Sequence, residues 1–343
     1  MEVPMRRPIP QTFHRRWAAV RTGLAAVLLA GASCLAQAAP FSSVYVFGDS
    51  LSDAGNNAVA LGGSTTPLPI AGNSFVPAYP YASGHYTDGA VWAQTFAAYF
   101  GTSAAPSLLG GTDYAYGGAR TGPSGAGFPP SLLDQVTQFL TPLGPGGKVP
   151  TDALFVIAGG GNNARDALAA VAGGADPTAT LLAAAAGFVT DTLTMVSQLA
   201  SAGAADIVVW TAPNIALAPA VRALGNPAAS AFATALAGAM NQSLAAALAP
   251  FGDVRIFDLA GLLEDAVADP SAFGLANVTD ACAALVSCDP SAYLFWDGIH
   301  PTSAGQALIA RGMIALVPAP GSLALMLAAL GPVLLLTSRR RAA

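Results

Sequence analysis

Val44-Tyr45-Val46-Phe47-Gly48-Asp49-Ser50-Leu51-Ser52-Asp53 is the stretch on which the fold turns. Its first half is a compact run of β-branched and aromatic residues, the composition of a buried strand. Its second half changes to Gly, Asp and Ser, which favour a tight turn. A serine hydroxyl therefore stands where the chain leaves a strand. Alone, Gly48-Asp49-Ser50 reads as an ordinary turn, because a serine alcohol is a poor nucleophile until a base removes its proton. The rest of the chain has to provide the sheet and the base.

Further apolar runs of the same kind predict strands at Ser43 to Phe47, Ala153 to Ala158, Asp206 to Trp210 and Val254 to Phe257, with a shorter one at Asp113 to Tyr116. Helices are predicted at Val91 to Phe100, Leu132 to Leu140, Pro177 to Ala202, Ala228 to Leu248 and Thr302 to Leu316, the long ones rich in Ala and Leu. Strands alternating with helices imply βαβ units and a parallel sheet covered on both faces. Gly and Pro punctuate Gly62 to Pro80 and Thr121 to Pro130, which read as surface loops. In open α/β sheets ligands bind beyond the carboxyl ends of the strands. Ser50, Gly117-Gly118 and Asn162-Asn163 each follow a predicted strand, so all three converge on that rim.

The chain has 343 residues, of which 53% are hydrophobic and 10% charged, enough for a large core. Part of the apolar excess lies at the ends. Arg6, Arg7, Arg15, Arg16 and Arg21 precede an apolar segment from Gly23 to Leu35, followed by Ala36-Gln37-Ala38. That order reads as a secretory signal over 1–38, cleaved after Ala38. At the other end Val317-Pro318-Ala319-Pro320-Gly321 leads into an apolar stretch from Ser322 to Thr337 and closes on Arg339-Arg340-Arg341, a pattern that stops in a membrane. From Ala39 to Val317, 18 acidic residues face six basic ones, so the body lacks the basic footprint of a nucleic-acid binder. Cys34 falls in the signal. Cys282 and Cys288 remain as an even pair, expected to form a disulfide in an oxidising compartment rather than a zinc site, since no histidines accompany them.

Outside the signal, which holds His14, the histidines are His85 and His300. His300 is the better base because Asp297 stands three residues earlier, where a turn can bring its carboxylate to Nδ1 and leave Nε2 for the serine. His85, in Ser83-Gly84-His85-Tyr86-Thr87-Asp88-Gly89, reads as a loop residue with a lesser chance of lining the cleft. Acyl transfer also needs donors for the oxygen that becomes negative. The N–H of Ser50, that of Gly118 with Gly117 as the near alternative, and the amide of Asn162 are the candidates. Asn162 could instead cap a helix beginning near Ala164. Gly159-Gly160-Gly161 is no phosphate loop, because no Gly-Lys-Ser/Thr follows.

Four blocks carry a family resemblance: Gly48-Asp49-Ser50-Leu51-Ser52-Asp53, Asp113-Tyr114-Ala115-Tyr116-Gly117-Gly118-Ala119-Arg120, Gly160-Gly161-Asn162-Asn163 and Trp296-Asp297-Gly298-Ile299-His300-Pro301-Thr302. In this order the chain resembles the GDSL, or SGNH, esterases and lipases. Asp113 stands where an asparagine is common, and Asn163 replaces the usual Asp. The resemblance implies a three-layer α/β/α, flavodoxin-like fold with a mainly parallel central sheet over 39–316. It implies Ser50, Asp297 and His300 as catalytic residues, Ser50, Gly118 and Asn162 as the oxyanion hole, and no metal or organic cofactor. The expected activity is that of an exported carboxylesterase or lipase acting through an acyl-enzyme. Acyltransferase, polysaccharide deacetylase and a non-catalytic surface or matrix role are the alternatives. Leu68, Pro69, Ile70 and Phe75 are candidates for an acyl-binding wall. The tail over 317–343 resembles the PEP-CTERM sorting signal, with Ala319 in place of the usual glutamate. That likeness implies an exosortase-type processing enzyme, transient anchoring and an exopolysaccharide matrix as expected partners, besides the export machinery and an ester or lipid substrate.

Overall fold

Side chains alternate across each strand, and in this protein both directions lead into apolar cores. The computed structural model describes residues 41–62, 81, 83–125, 127–285 and 287–317. The segments read as terminal signals, apart from Val317, and the loop residues Leu68, Pro69, Ile70 and Phe75 lie outside the described residues. Strands β1 (Val44–Gly48), β2 (Leu154–Ala158), β3 (Asp206–Trp210) and β4 (Val254–Phe257) form one parallel sheet in the order β1-β2-β3-β4. Val44, Val46, Leu154, Val156, Val208 and Trp210 enter one core, whereas Phe47, Phe155, Ile157, Ile207 and Val209 enter the other. Burial on both faces is why these strands read as continuous apolar runs.

Helix α1 (Asn56–Leu61) follows the turn after β1. The first core is closed by helices α2 (Trp92–Tyr99), α7 (Leu259–Ala268) and α8 (Ser303–Leu316); the second by α3 (Leu132–Leu140), α4 (Gly161–Ala172), α5 (Pro177–Ser201) and α6 (Pro227–Leu248). The architecture is the expected three-layer α/β/α fold with a parallel sheet. Helices α5 and α6 are long and apolar enough to cross a membrane. Here Phe188, Met195, Leu199, Leu236, Met240 and Leu244 on these two helices are instead buried in the second core. Asp176 caps α5 by accepting the Ala179 N–H, and Asn226 caps α6 from the Ala228 N–H, so Pro177 and Pro227 fall in the first turn, where a missing N–H costs nothing.

The stretch predicted as a strand at Asp113 to Tyr116 is an irregular edge of the sheet. Tyr114 N–H donates to Val46 O and Tyr116 N–H to Gly48 O, a parallel alignment beside β1. The buried Asp113 carboxyl turns back to accept the Ala115 N–H, which breaks the regular ladder. Among the described residues, helices α1 and α7, a single helical turn at Pro219–Arg222 and a two-stranded parallel pair, β5 (Asn277–Ala281) with β6 (Tyr293–Phe295), lie beyond the predicted elements. Cys282 and Cys288 are joined by a disulfide that closes the loop after β5.

Candidate active site

The backbone after β1 folds so tightly that Asp49 O accepts the N–H of both Ser52 and Asp53, and the Asp49 carboxyl accepts that of Leu51. Ser50 is carried at the tip of this turn. Gly48 is required just before it, since a Cβ there would meet Ala158 O and Ser52 Oγ at 2.9 Å. The buried amide of Gln135 on α3 clamps both ends of that glycine, accepting its N–H at 2.8 Å and donating to its O at 2.9 Å. The turn that carries Ser50 is thus held from the sheet, from within and from a helix.

Asp297, Gly298 and Ile299 form a second tight turn between β6 and α8. Asp297 Oδ1 accepts the N–H groups of Ile299 and His300 at 2.8 and 2.7 Å, and Oδ2 takes His300 Nδ1 at 2.7 Å. His300 Nε2 lies 2.8 Å from Ser50 Oγ. Ser50, His300 and Asp297 are 8%, 3% and 0% exposed, so the whole relay is shielded from water. An acceptor-only carboxylate at Nδ1 keeps the ring proton there and leaves Nε2 able to accept from the hydroxyl. Sequence separation of 250 residues between Ser50 and His300 is closed by the fold alone.

Gly117 and Gly118 have different fates. The Gly117 N–H donates to Asp53 Oδ2 at 2.9 Å, whereas the N–H groups of Gly118 and Ser50 have no acceptor among the described residues. Gly118 has φ +85°, a conformation that side chains other than glycine rarely adopt. Asn162 sits inside the first turn of α4, which starts at Gly161 rather than near Ala164, so it does not cap the helix. Its Nδ2 donates to Ala119 O at 2.9 Å, leaving the second amide hydrogen uncommitted among the described residues. His85 lies on the loop before α2 and is absent from the residues lining the cavity at Ser50. Burial pushes its pKa down.

That cavity is lined by apolar residues that include Leu217, Leu263, Phe295 and Ile309 and by polar ones that include Asp49, Asn162, Arg165 and His300 with Ser50. Desolvation pushes the Asp49 pKa up to about 6, against the Leu51 N–H and the positive charge of Arg165. The same burial raises Asp53 to about 6, although its carboxylate accepts from Gly55, Asn56, Asn57 and Gly117. Asp53 therefore ties the turn after the serine to the glycine block.

Three contributors were not read from the sequence. Tyr81 donates its hydroxyl to Asp297 Oδ2 at 2.7 Å and rests edge-on against Trp296. Gln135 clamps Gly48, and Arg165 donates to Asn162 Oδ1 at 3.1 Å. The one signal that could have raised Arg165 is its place three residues after Asn162, where two side chains share a helix face. Tyr81 and Gln135 had none, being joined to the site only through tertiary contact.

Fold and site define a class: a three-layer α/β/α protein with a hydroxyl, an imidazole and a carboxylate in series at the carboxyl edge of a parallel sheet. The chain belongs to the GDSL-like Lipase/Acylhydrolase family, whose sequence model matches residues 44–313. It is 36% identical over 137 residues to Esterase EstA of Pseudomonas aeruginosa, a match covering 35% of this chain and 21% of that protein. An uncharacterized protein of the trpE-trpG intergenic region of Pseudomonas putida is 29% identical over 336 residues, covering 90% of this chain and 54% of the relative. The chain thus spans from a fifth to about half the length of the curated relatives it matches. Among solved structures, an extracellular lipase of Streptomyces rimosus aligns with 80% of this chain and 99% of its own at 18% identity and a TM-score of 0.44.

Proposed function

We propose that the protein is a serine ester hydrolase of the carboxylesterase and lipase type. Ser50 is the nucleophile, His300 its general base and Asp297 the carboxylate that holds the imidazole in the productive tautomer. The observation that carries this reading is the buried series from Ser50 Oγ to His300 Nε2 at 2.8 Å and from His300 Nδ1 to Asp297 Oδ2 at 2.7 Å. His300 takes the serine proton as Ser50 Oγ attacks the ester carbonyl. The negative oxygen of the tetrahedral intermediate is received by the N–H groups of Ser50 and Gly118 and the free hydrogen of Asn162 Nδ2. His300 then returns the proton to the leaving alcohol, and water attacks the acyl-enzyme with the same base. In this reading the acyl group packs against the apolar lining residues Leu217, Leu263, Phe295 and Ile309.

The protein works outside the cytoplasm in this reading, exported by its N-terminal signal and held at the envelope by its C-terminal tail until an exosortase-type enzyme processes it. The arginine-flanked apolar ends and the Cys282–Cys288 disulfide support that placement. The test of the chemistry is Ser50→Ala, assayed on p-nitrophenyl acetate and butyrate, with fluorophosphonate labelling of both the variant and the unaltered protein. Labelling of the unaltered protein, and loss of turnover and of label in the variant, are expected. Turnover by Ser50→Ala equal to that of the unaltered enzyme overturns the proposal.

A further inference from the structure

An amide side chain can be turned about its last bond, exchanging its oxygen for its nitrogen at little intrinsic cost. For Asn162 the exchange decides whether a hydrogen-bond donor or an acceptor faces the reacting carbonyl. Two neighbours oppose the wrong orientation. Ala119 O can only accept, and it receives Nδ2 at 2.9 Å. The Arg165 guanidinium can only donate, and its Nη1 meets Oδ1 at 3.1 Å. Asn162 and Arg165 lie on α4, three positions apart, so the helix itself holds the guanidinium over the amide.

Among the described residues, Arg165 is also the one basic residue besides His300 that lines the cavity at Ser50. It is partly buried there, and that burial, with the charge of Arg120, lowers its pKa, while the carboxylates of Asp166, Asp297 and Asp49 oppose the shift. A cation bound to the amide oxygen draws electron density from the Nδ2–H bonds and makes the remaining hydrogen a stronger donor.

We propose that Arg165 is a positioning residue for the oxyanion hole: by occupying Asn162 Oδ1 it locks the amide with Nδ2 toward the reacting carbonyl and strengthens that donor. The inference rests on the ester-hydrolase reading above. It concerns the transition state more than the ground state, so its loss falls on kcat and leaves KM nearly unchanged.

The experiment is a double-mutant cycle with Arg165→Met and Asn162→Ala on p-nitrophenyl butyrate, with Arg165→Lys as a second probe at position 165. Removing an oxyanion donor typically costs about 100-fold or more in kcat. Arg165→Met, which weakens that donor without deleting it, is expected to lower kcat by about 10-fold with KM within about 2-fold, and Arg165→Lys to recover part of the loss. In the Asn162→Ala background the same Arg165→Met change is expected to cost less than about 3-fold, because the residue it acts through is gone. A full 10-fold further loss in that background overturns the proposal, and so does a raised KM at constant kcat, which would make Arg165 a direct substrate contact. If Arg165→Met fails to fold, Arg165→Lys in both backgrounds carries the comparison, its smaller loss vanishing or persisting with Asn162. Failure of the underlying reading is distinguished separately: it would leave Ser50 of the unaltered enzyme unlabelled by fluorophosphonate, whereas failure of this inference leaves labelling intact.

Discussion

Asp297→Asn tests the site at its least accessible atom. The side chain receives four donors: Ile299 N–H and His300 N–H on Oδ1, His300 Nδ1 and the Tyr81 hydroxyl on Oδ2. Asparagine can keep its oxygen toward the two backbone N–H groups only by placing Nδ2 against the imidazole and the tyrosine hydroxyl. Two donors then face each other at Nδ1, and the ring relieves the clash by moving its proton to Nε2. Nε2 would now donate to Ser50 Oγ instead of accepting from it, and the base is lost. Turning the amide the other way restores an acceptor to His300 but strands two backbone N–H groups in a site that is 0% exposed at Asp297. The first arrangement is the cheaper one. The same tautomer error in a serine protease lowers kcat by about 10⁴. At about 1.36 kcal/mol per decade this corresponds to about 5.4 kcal/mol of lost transition-state stabilisation. The assay is steady-state hydrolysis of p-nitrophenyl butyrate at pH 7 to 8, with circular dichroism to establish that the variant is folded. A folded Asp297→Asn enzyme retaining more than a tenth of the activity would refute the reasoning.

Tyr81→Phe removes one donor from Asp297 Oδ2 while keeping the ring against Trp296, and a drop of about 3- to 10-fold in kcat/KM is expected from losing one charge-assisted bond to the triad carboxylate. Kinetics and thermal melting together check it, since the packing is unchanged. Gly48→Ala forces a methyl against Ala158 O and Ser52 Oγ, so a stability loss of about 1–3 kcal/mol is expected in urea unfolding. Asp113 is buried with Oδ2 lacking a partner among the described residues, and burial holds its carboxyl well above the usual range of 3.8. Its folded-state pKa exceeds the unfolded one, so its contribution is fully present below pH 3.8 and is lost as pH rises toward the folded value. Asp113→Asn removes that liability. Its stability relative to the native protein is expected to improve by up to about 1.4 kcal/mol per pH unit through that window, which denaturant titrations at pH 4, 5.5 and 7 measure.

How much was legible in the chain follows from the range of each interaction. All four strands of the central sheet match their predicted runs to within a residue, because β-branched and aromatic packing on both faces leaves a local signature. Helix α7 was hidden by a strand-adjacent opening, Leu259 directly after Asp258, and the polar opening Gly161-Asn162-Asn163 put the start of α4 three residues too late. The loop order around Ser50, Gly118, Asn162, Asp297 and His300 is carried by short motifs whose turns are closed by their own side chains, as Asp49 and Asp297 do.

Amino-acid order alone therefore settled the parallel α/β architecture, the serine at the end of β1 and the aspartate beside the histidine, since each depends on neighbours within a few positions. Tertiary structure decided what no local pattern encodes. It left Gly118 rather than Gly117 with an open N–H, because Asp53 reaches across 64 residues to claim the other. It placed Asn162 inside a helix instead of at its cap, set Arg165 on its oxygen, and brought Tyr81 across 216 residues to Asp297. Hydrogen bonds are short-ranged and directional, so which donor remains free is known only once distant segments have been folded against one another.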